Sequence, residues 1–146
     1  QYNFTDPESR IMKSRGSFEQ CFNAQAGVEV DSMLVVYQHV CNAPNDKQQL
    51  EPTVASISPV IGRVSEVLAD SGYYSEKAVT TVEEGENGPM VYTAMKRHGH
   101  GRSIEQLEKR EDPAAPPLGA PVPEVMAHRL ETKEGKDLYA KRKETV

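Results

Sequence analysis

Val64-Ser65-Glu66-Val67-Leu68-Ala69-Asp70-Ser71-Gly72 is a short apolar run that stops abruptly at an acid, a hydroxyl and a glycine. Apolar residues bounded by turn chemistry read as a buried strand over residues 64–69. Ser75 then opens a helix that runs to about Val82, and Gly85-Glu86-Asn87-Gly88 breaks it. Pro89-Met90-Val91-Tyr92-Thr93-Ala94-Met95 follows as another strand. Strand, helix and strand in this order predict a parallel pair joined by a right-handed crossover.

Upstream, residues 18–30 alternate. Phe18, Phe22, Ala24, Ala26, Val28 and Val30 share one face, with Gln20 the exception, and Glu19, Cys21, Asn23, Gln25 and Glu29 share the other. Period-two alternation predicts one half-buried strand with its apolar face inward. Asp31-Ser32 is a turn, and a second strand over residues 33–41 should return antiparallel to the first. Asn42-Ala43-Pro44-Asn45-Asp46 ends it, and Asp46 with Gln49 fits a capping box. Leu50, Val54, Ile57 and Ile61 form the stripe of a helix packed on one side. Pro52 is tolerated only in its first turns, and Pro59 should end it. The expected order is β-β-α-β-α-β, a mixed α/β sheet.

The character changes after Lys96. Residues 97–102 read as a loop, 103–111 as two or three helical turns, and 113–123 as a Pro-rich linker. Residues 124–146 read as one charged helix with a thin stripe of Met126, Leu130 and Leu138, either exposed or awaiting a partner surface.

The 146 residues carry a formal net charge of -5. Residues 1–95 hold 6 Lys and Arg against 13 Asp and Glu, whereas residues 96–146 hold 11 against 9. A polyanion would therefore meet the C-terminal third first. No apolar run approaches the ~20 residues of a membrane span, and no secretory leader is visible. Two cysteines cannot build a disulfide scaffold, so Cys21 and Cys41 are read as thiols and a cytoplasmic setting is expected. No phosphate-loop, dinucleotide, nucleophile-elbow or zincin motif occurs. His98, His100 and His128 could meet at a metal, but a solvated loop is the simpler reading.

Asp70 sits just past the end of a buried strand, where open α/β sheets place their ligands. Taken alone, Asp-Ser-Gly reads first as a turn. Asp6, Asp31 and Asp46 read first as turn or cap residues.

Asn3-Phe4-Thr5-Asp6-Pro7-Glu8-Ser9-Arg10-Ile11-Met12 resembles the N-x-T-D-P-[DE]-S-R-x-M segment of bacterial insertion-sequence DDE transposases. Cys21-Phe22-Asn23-Ala24-Gln25-Ala26 is similar to the family's G-Y-N-A-Q-A, and Asn45-Asp46 precedes a helix with Leu50 and Pro52 as in the family. Val67-Leu68-Ala69-Asp70-Ser71-Gly72-Tyr73 resembles the second-aspartate motif A-D-[SAK]-G-Y, and residues 141–146 resemble the run before the family's glutamate.

The resemblance covers about residues 2–96 and 141–146 and implies an RNase H-like core whose three acids hold two divalent metals, Mg²⁺ or Mn²⁺. Cleaving a phosphodiester requires an activated attacking oxygen and a stabilised leaving oxygen, and paired metals on carboxylates supply both. It further implies that Asp70 is the catalytic and metal-binding second acid, and that the first aspartate and the glutamate lie outside residues 1–146. It divides the chain into a partial core lacking its first strand (1–96), a variable insertion with the Pro-rich linker (97–123), and a polar helix leading toward the glutamate (124–146). DNA is the implied substrate, with self-association in a transposition complex and no membrane.

The chain by itself is expected to be inactive and either marginally folded or aggregation-prone. A non-catalytic remnant of a mobile element, or a small α/β interaction module using the linker and C-terminal helix, are the competing readings.

Overall fold

A computed structural model describes residues 2–14, 16–96 and 111–145. It is a mixed α/β structure. The strands are β1 (Arg10–Ser14), β2 (Ser17–Cys21), β3 (Asn23–Val28), β4 (Val35–Cys41), β5 (Glu66–Ala69) and β6 (Met90–Thr93). The helices are α1 (Leu50–Ser56), α2 (Glu76–Glu83), α3 (Val122–Glu131) and α4 (Lys133–Thr145), with a 3-10 turn at Pro59–Ile61.

The strands pair two by two: β1 with β2 and β3 with β4 antiparallel, β5 with β6 parallel. The parallel pair expected around α2 is present, in the register Val67↔Val91 and Ala69↔Thr93. Ser75 caps α2 as its position suggests, its hydroxyl accepting from the Ala78 N–H at 3.1 Å. That bond satisfies one of the donors left over at a helix start.

Residues 18–30 do not form one strand. Phe22 lies between β2 and β3, and β2 turns back onto β1, a strand the alternation alone did not reveal. The expected inward face is also reversed: Phe18 is 75% exposed while Gln25 is 4% exposed. The cause is chemical, because Gln25 has three polar partners beneath the hairpin and the small Ala24 and Ala26 lose little in water.

Asp46 does not cap a helix. Its carboxylate is engaged elsewhere, α1 starts at Leu50 without a side-chain cap, and Pro59 ends the segment as a 3-10 turn. Of the expected stripe, Leu50 is buried and Val54 packs on the core, whereas Ile61 is exposed. The helix expected over residues 124–146 is two helices broken at Thr132, whose Oγ1 accepts from the Gly135 N–H. Its partner surface lies within this chain: Met126 enters the core, and α3 lies against α2 and β6. The readings of residues 97–102 and of nearly all of 103–111 fall outside the described residues.

The core is built by Leu50, Ala69, Ala78, Val79, Val82, Val91 and Met126. The two N-terminal hairpins bury far less, with Phe18, Leu34, Val35 and Val40 all exposed. Opening free energies follow local burial. Two more buried aliphatic side chains are worth roughly 3 kcal/mol, so amides of β5, β6 and α2 should exchange ~10²-fold more slowly than those of β1 and β2. Hydrogen exchange read by NMR checks this, and uniform protection would contradict it.

Candidate active site

The backbone around Asp70 is fixed from three directions. Tyr139 on α4 donates to the Ala69 carbonyl at 3.0 Å and accepts from the Ala94 N–H at 3.2 Å, tying together the C-terminal ends of β5 and β6. The buried Thr93 hydroxyl donates to the Asp70 carbonyl at 2.7 Å. The Tyr73 N–H donates to the same carbonyl at 3.2 Å. The Asp70 side chain itself is exposed, and its Oδ1 accepts from the Gly72 N–H at 2.6 Å. Asp70 therefore forms a turn and leaves an exposed carboxylate at the strand's C-terminal edge.

Asp46 approaches from the other side. Its Oδ1 accepts from the Asn23 amide at 2.7 Å and from the Gln25 amide at 2.8 Å. Gln25 Nε2 also donates to Asn23 Oδ1 at 2.8 Å, and Gln25 Oε1 accepts from the Tyr73 hydroxyl. Gly72 is where the two acids meet. A Cβ at that position would lie 2.9 Å from Asp70 Oδ1 and 3.0 Å from Asp46 Oδ2, so both carboxylates border the space a side chain would fill.

Burial, reinforced by the nearby carboxylates of Asp46 and Asp70, pushes the Tyr73 phenol up to about 12. Between pH ~10 and that value the unfolded chain releases this proton and the native chain keeps it. Tyr73 therefore takes nothing from stability below pH ~10, and stability should fall as pH rises from there toward 12. Absorbance titration at alkaline pH, differenced against Tyr73→Phe, should show one late-ionising phenol. Its absence would contradict the buried setting of Tyr73.

Hard divalent cations take six or more oxygen ligands, so an exposed carboxylate such as Asp70 suits them. The surrounding donor set is incomplete. Among the described residues no three His, Cys, Asp or Glu side chains converge. Asp70 is thus at most a partial cation site in this structure. Of the three histidines considered for a metal, His98 and His100 lie outside the described residues, and His128 Nε2 contacts the Pro113 carbonyl at 3.1 Å. Cys21 and Cys41 are free thiols. Asp6 shapes the N-terminal turn through its carbonyl, which accepts from Ser9, and Asp31 lies in the β3–β4 turn.

An open cleft of about 860 Å³ lies between β4 and α1, lined by Tyr37, His39, Cys41, Gln49 and Pro52 among others. It includes neither Asp70 nor Tyr73. Among the described residues no helix is long and apolar enough to cross a membrane.

The roles of Gln25, Asp46 and Tyr73 were not read from the sequence, although all three stand within its resembling segments. The usable signal was Gln25, a glutamine flanked by alanines in an alternating stretch whose polar face turns inward.

Comparison with curated proteins and with solved structures gives no match. The family model described as the transposase DDE domain matches residues 4–144, nearly the whole chain. The chain belongs to the transposase DDE domain family, and with it to the proteins of DNA transposition.

Proposed function

We propose that this chain is part of the catalytic domain of an insertion-sequence transposase that cleaves and transfers DNA strands, with Asp70 the second acid of its triad. The observation that carries the reading is the exposed Asp70 carboxylate at the C-terminal end of β5, beside the parallel β6, in a chain matched by the transposase DDE domain. Divalent metal ions serve the family generally. Mg²⁺ or Mn²⁺ is the proposed ion, and Asp70 one of its ligands.

The proposed framework is RNase H-like. β3 pairs only with β4, and β5 only with β6, among the described residues. Each keeps one edge free, which accords with a central strand between them. By the same reading residues 1–96 belong to the partial core, 97–123 to a variable insertion and 124–146 to a helical segment leading to the glutamate. DNA ends and target are the partners, the transposition complex is self-associated, and the protein works in the cytoplasm.

The test is nicking of supercoiled and transposon-end DNA in Mg²⁺ and Mn²⁺. The 146-residue chain should give none, because Asp70, with Asp46 Oδ1 already committed to the Asn23 and Gln25 amides, offers a reluctantly dehydrating ion too few ligands. The complete transposase carrying this chain should nick, and lose that activity with Asp70→Ala. Robust nicking by the isolated chain, sensitive to Asp70→Ala, would overturn the incomplete-triad reading.

A further inference from the structure

We propose that Gln25 and Asp46, linked to Tyr73, are positioning residues that hold the Asp70–Tyr73 turn against the β3–β4 hairpin. The inference rests on the assignment of Asp70 as a catalytic carboxylate. Its own support lies in the geometry of the brace.

Gln25 is a polar side chain 4% exposed, and both ends of its amide are used. The nitrogen donates to Asp46 Oδ1 and Asn23 Oδ1, and the oxygen accepts from Tyr73. Asp46 receives a second amide from Asn23, so two donors fix the rotation of its carboxylate. Its other oxygen, Oδ2, then borders Gly72 opposite Asp70 Oδ1. The turn is thereby held through the Tyr73 hydroxyl, and Asp46 Oδ2 fills the space beside Gly72 that a side chain would need. β3 and β5 share no ladder. The brace therefore links the hairpin to the acid-bearing turn where backbone pairing does not. Gln25 is the buried centre of this half-buried network, and losing it leaves the Tyr73 hydroxyl without its acceptor. Sub-ångström placement matters for a catalytic group far more than for a loop.

Three variants probe it in the 146-residue chain. Gln25→Met keeps volume and charge but removes both hydrogen-bonding ends. Asp46→Asn keeps shape and removes charge. Tyr73→Phe removes one hydroxyl and is the mildest. In magnetisation-transfer NMR the Gly72 and Tyr73 amides should exchange roughly tenfold faster in Gln25→Met, the change expected from losing one net hydrogen bond. Asp46→Asn should accelerate them less, and Tyr73→Phe least. The β5 and β6 amides, serving as an internal reference, should be unchanged. Equal acceleration of all amides would reduce the network to general stabilisation, and no acceleration at all would remove it. Either result overturns the proposal.

In the complete transposase, Gln25→Met should lower kcat for cleavage while leaving KM for DNA unchanged. A rise in KM alone would also overturn it. Asp70→Ala separates the two readings. Intact cleavage in that variant defeats the catalytic assignment whatever the exchange data show, and unchanged exchange in Gln25→Met defeats the brace whatever Asp70 does.

Discussion

Asp70→Ala should lower DNA strand cleavage by the transposase that carries this chain at least ~10²-fold, the loss typical of one transition-state stabiliser. The side chain is exposed, the Asp70 carbonyl is held by Thr93 and Tyr73 and the preceding Ala69 carbonyl by Tyr139, so truncation disturbs packing little. Alanine alone leaves one ambiguity, because the carboxylate also accepts the Gly72 N–H. Asp70→Asn resolves it. An asparagine oxygen can still accept that bond and keep the turn, but it carries no charge for a cation. If the negative charge is what chemistry needs, Asp70→Asn should fail as completely as Asp70→Ala. Cleavage within a few-fold of the parent enzyme in Asp70→Asn would make the residue a turn former only. Thermal unfolding of both variants, expected within ~0.5 kcal/mol of the parent for an exposed position, guards against misreading a folding defect.

Residues 64–95 were legible because local signals agreed there. An apolar run, a turn, a serine cap and a glycine break all pointed to strand, helix and parallel strand, and the structure follows that order. The place of Asp70 was legible for the same reason, since it depends on the end of one strand, whereas a role for it as an acid came only from the resemblance.

The N-terminal hairpins were less readable. Alternation identifies two faces but cannot say which is inward when the apolar face of β3 offers only Ala24, Ala26 and Val28 and the polar face holds a buried glutamine. Phe18 on the outside and Gln25 on the inside invert the usual rule, and the reason lies in Asp46 and Tyr73, 21 and 48 residues further along. Asp46 misled as a helix cap because Asp followed by Gln three residues later is a local pattern, whereas its amide partners come from another strand. The C-terminal segment misled through its charge. Only Val122, Met126 and Leu130 of α3 pack on the core, and so thin a stripe resembles an exposed helix.

Glu83→Ala should be among the most destabilising single changes in the chain, by about 2–4 kcal/mol, because Glu83 and Arg129 together close the open edge of β6. Val91 is 0% exposed, and both its N–H and its C=O are bonded by side chains. Glu83 Oε1 accepts from the Val91 N–H at 2.8 Å, and Arg129 Nη1 donates both to the Val91 carbonyl and to Glu83. The guanidinium also lies over the Tyr92 ring, 5.5 Å from its centroid. Two side chains thus do for Val91 what a neighbouring strand would do.

Removing Glu83 strands a buried N–H, at ~1–3 kcal/mol, and leaves Arg129 without its counter-ion. A fully buried pair broken this way costs ~3–5 kcal/mol. Glu83 and Arg129 side chains are 28% and 15% exposed, so solvent screening lowers that share and holds the combined loss below the sum of the two. The loss is large beside a native margin of about 5–15 kcal/mol.

The open edge should also recruit other chains, as unpaired strand edges do. Urea unfolding together with light scattering reads both effects. A double-mutant cycle with Arg129→Met should return a coupling above ~1 kcal/mol, because the two side chains act as one cap. A Glu83→Ala variant that unfolds within ~0.5 kcal/mol of the parent, the range of an ordinary surface change, and stays monomeric would show that the edge of β6 needs no such closure.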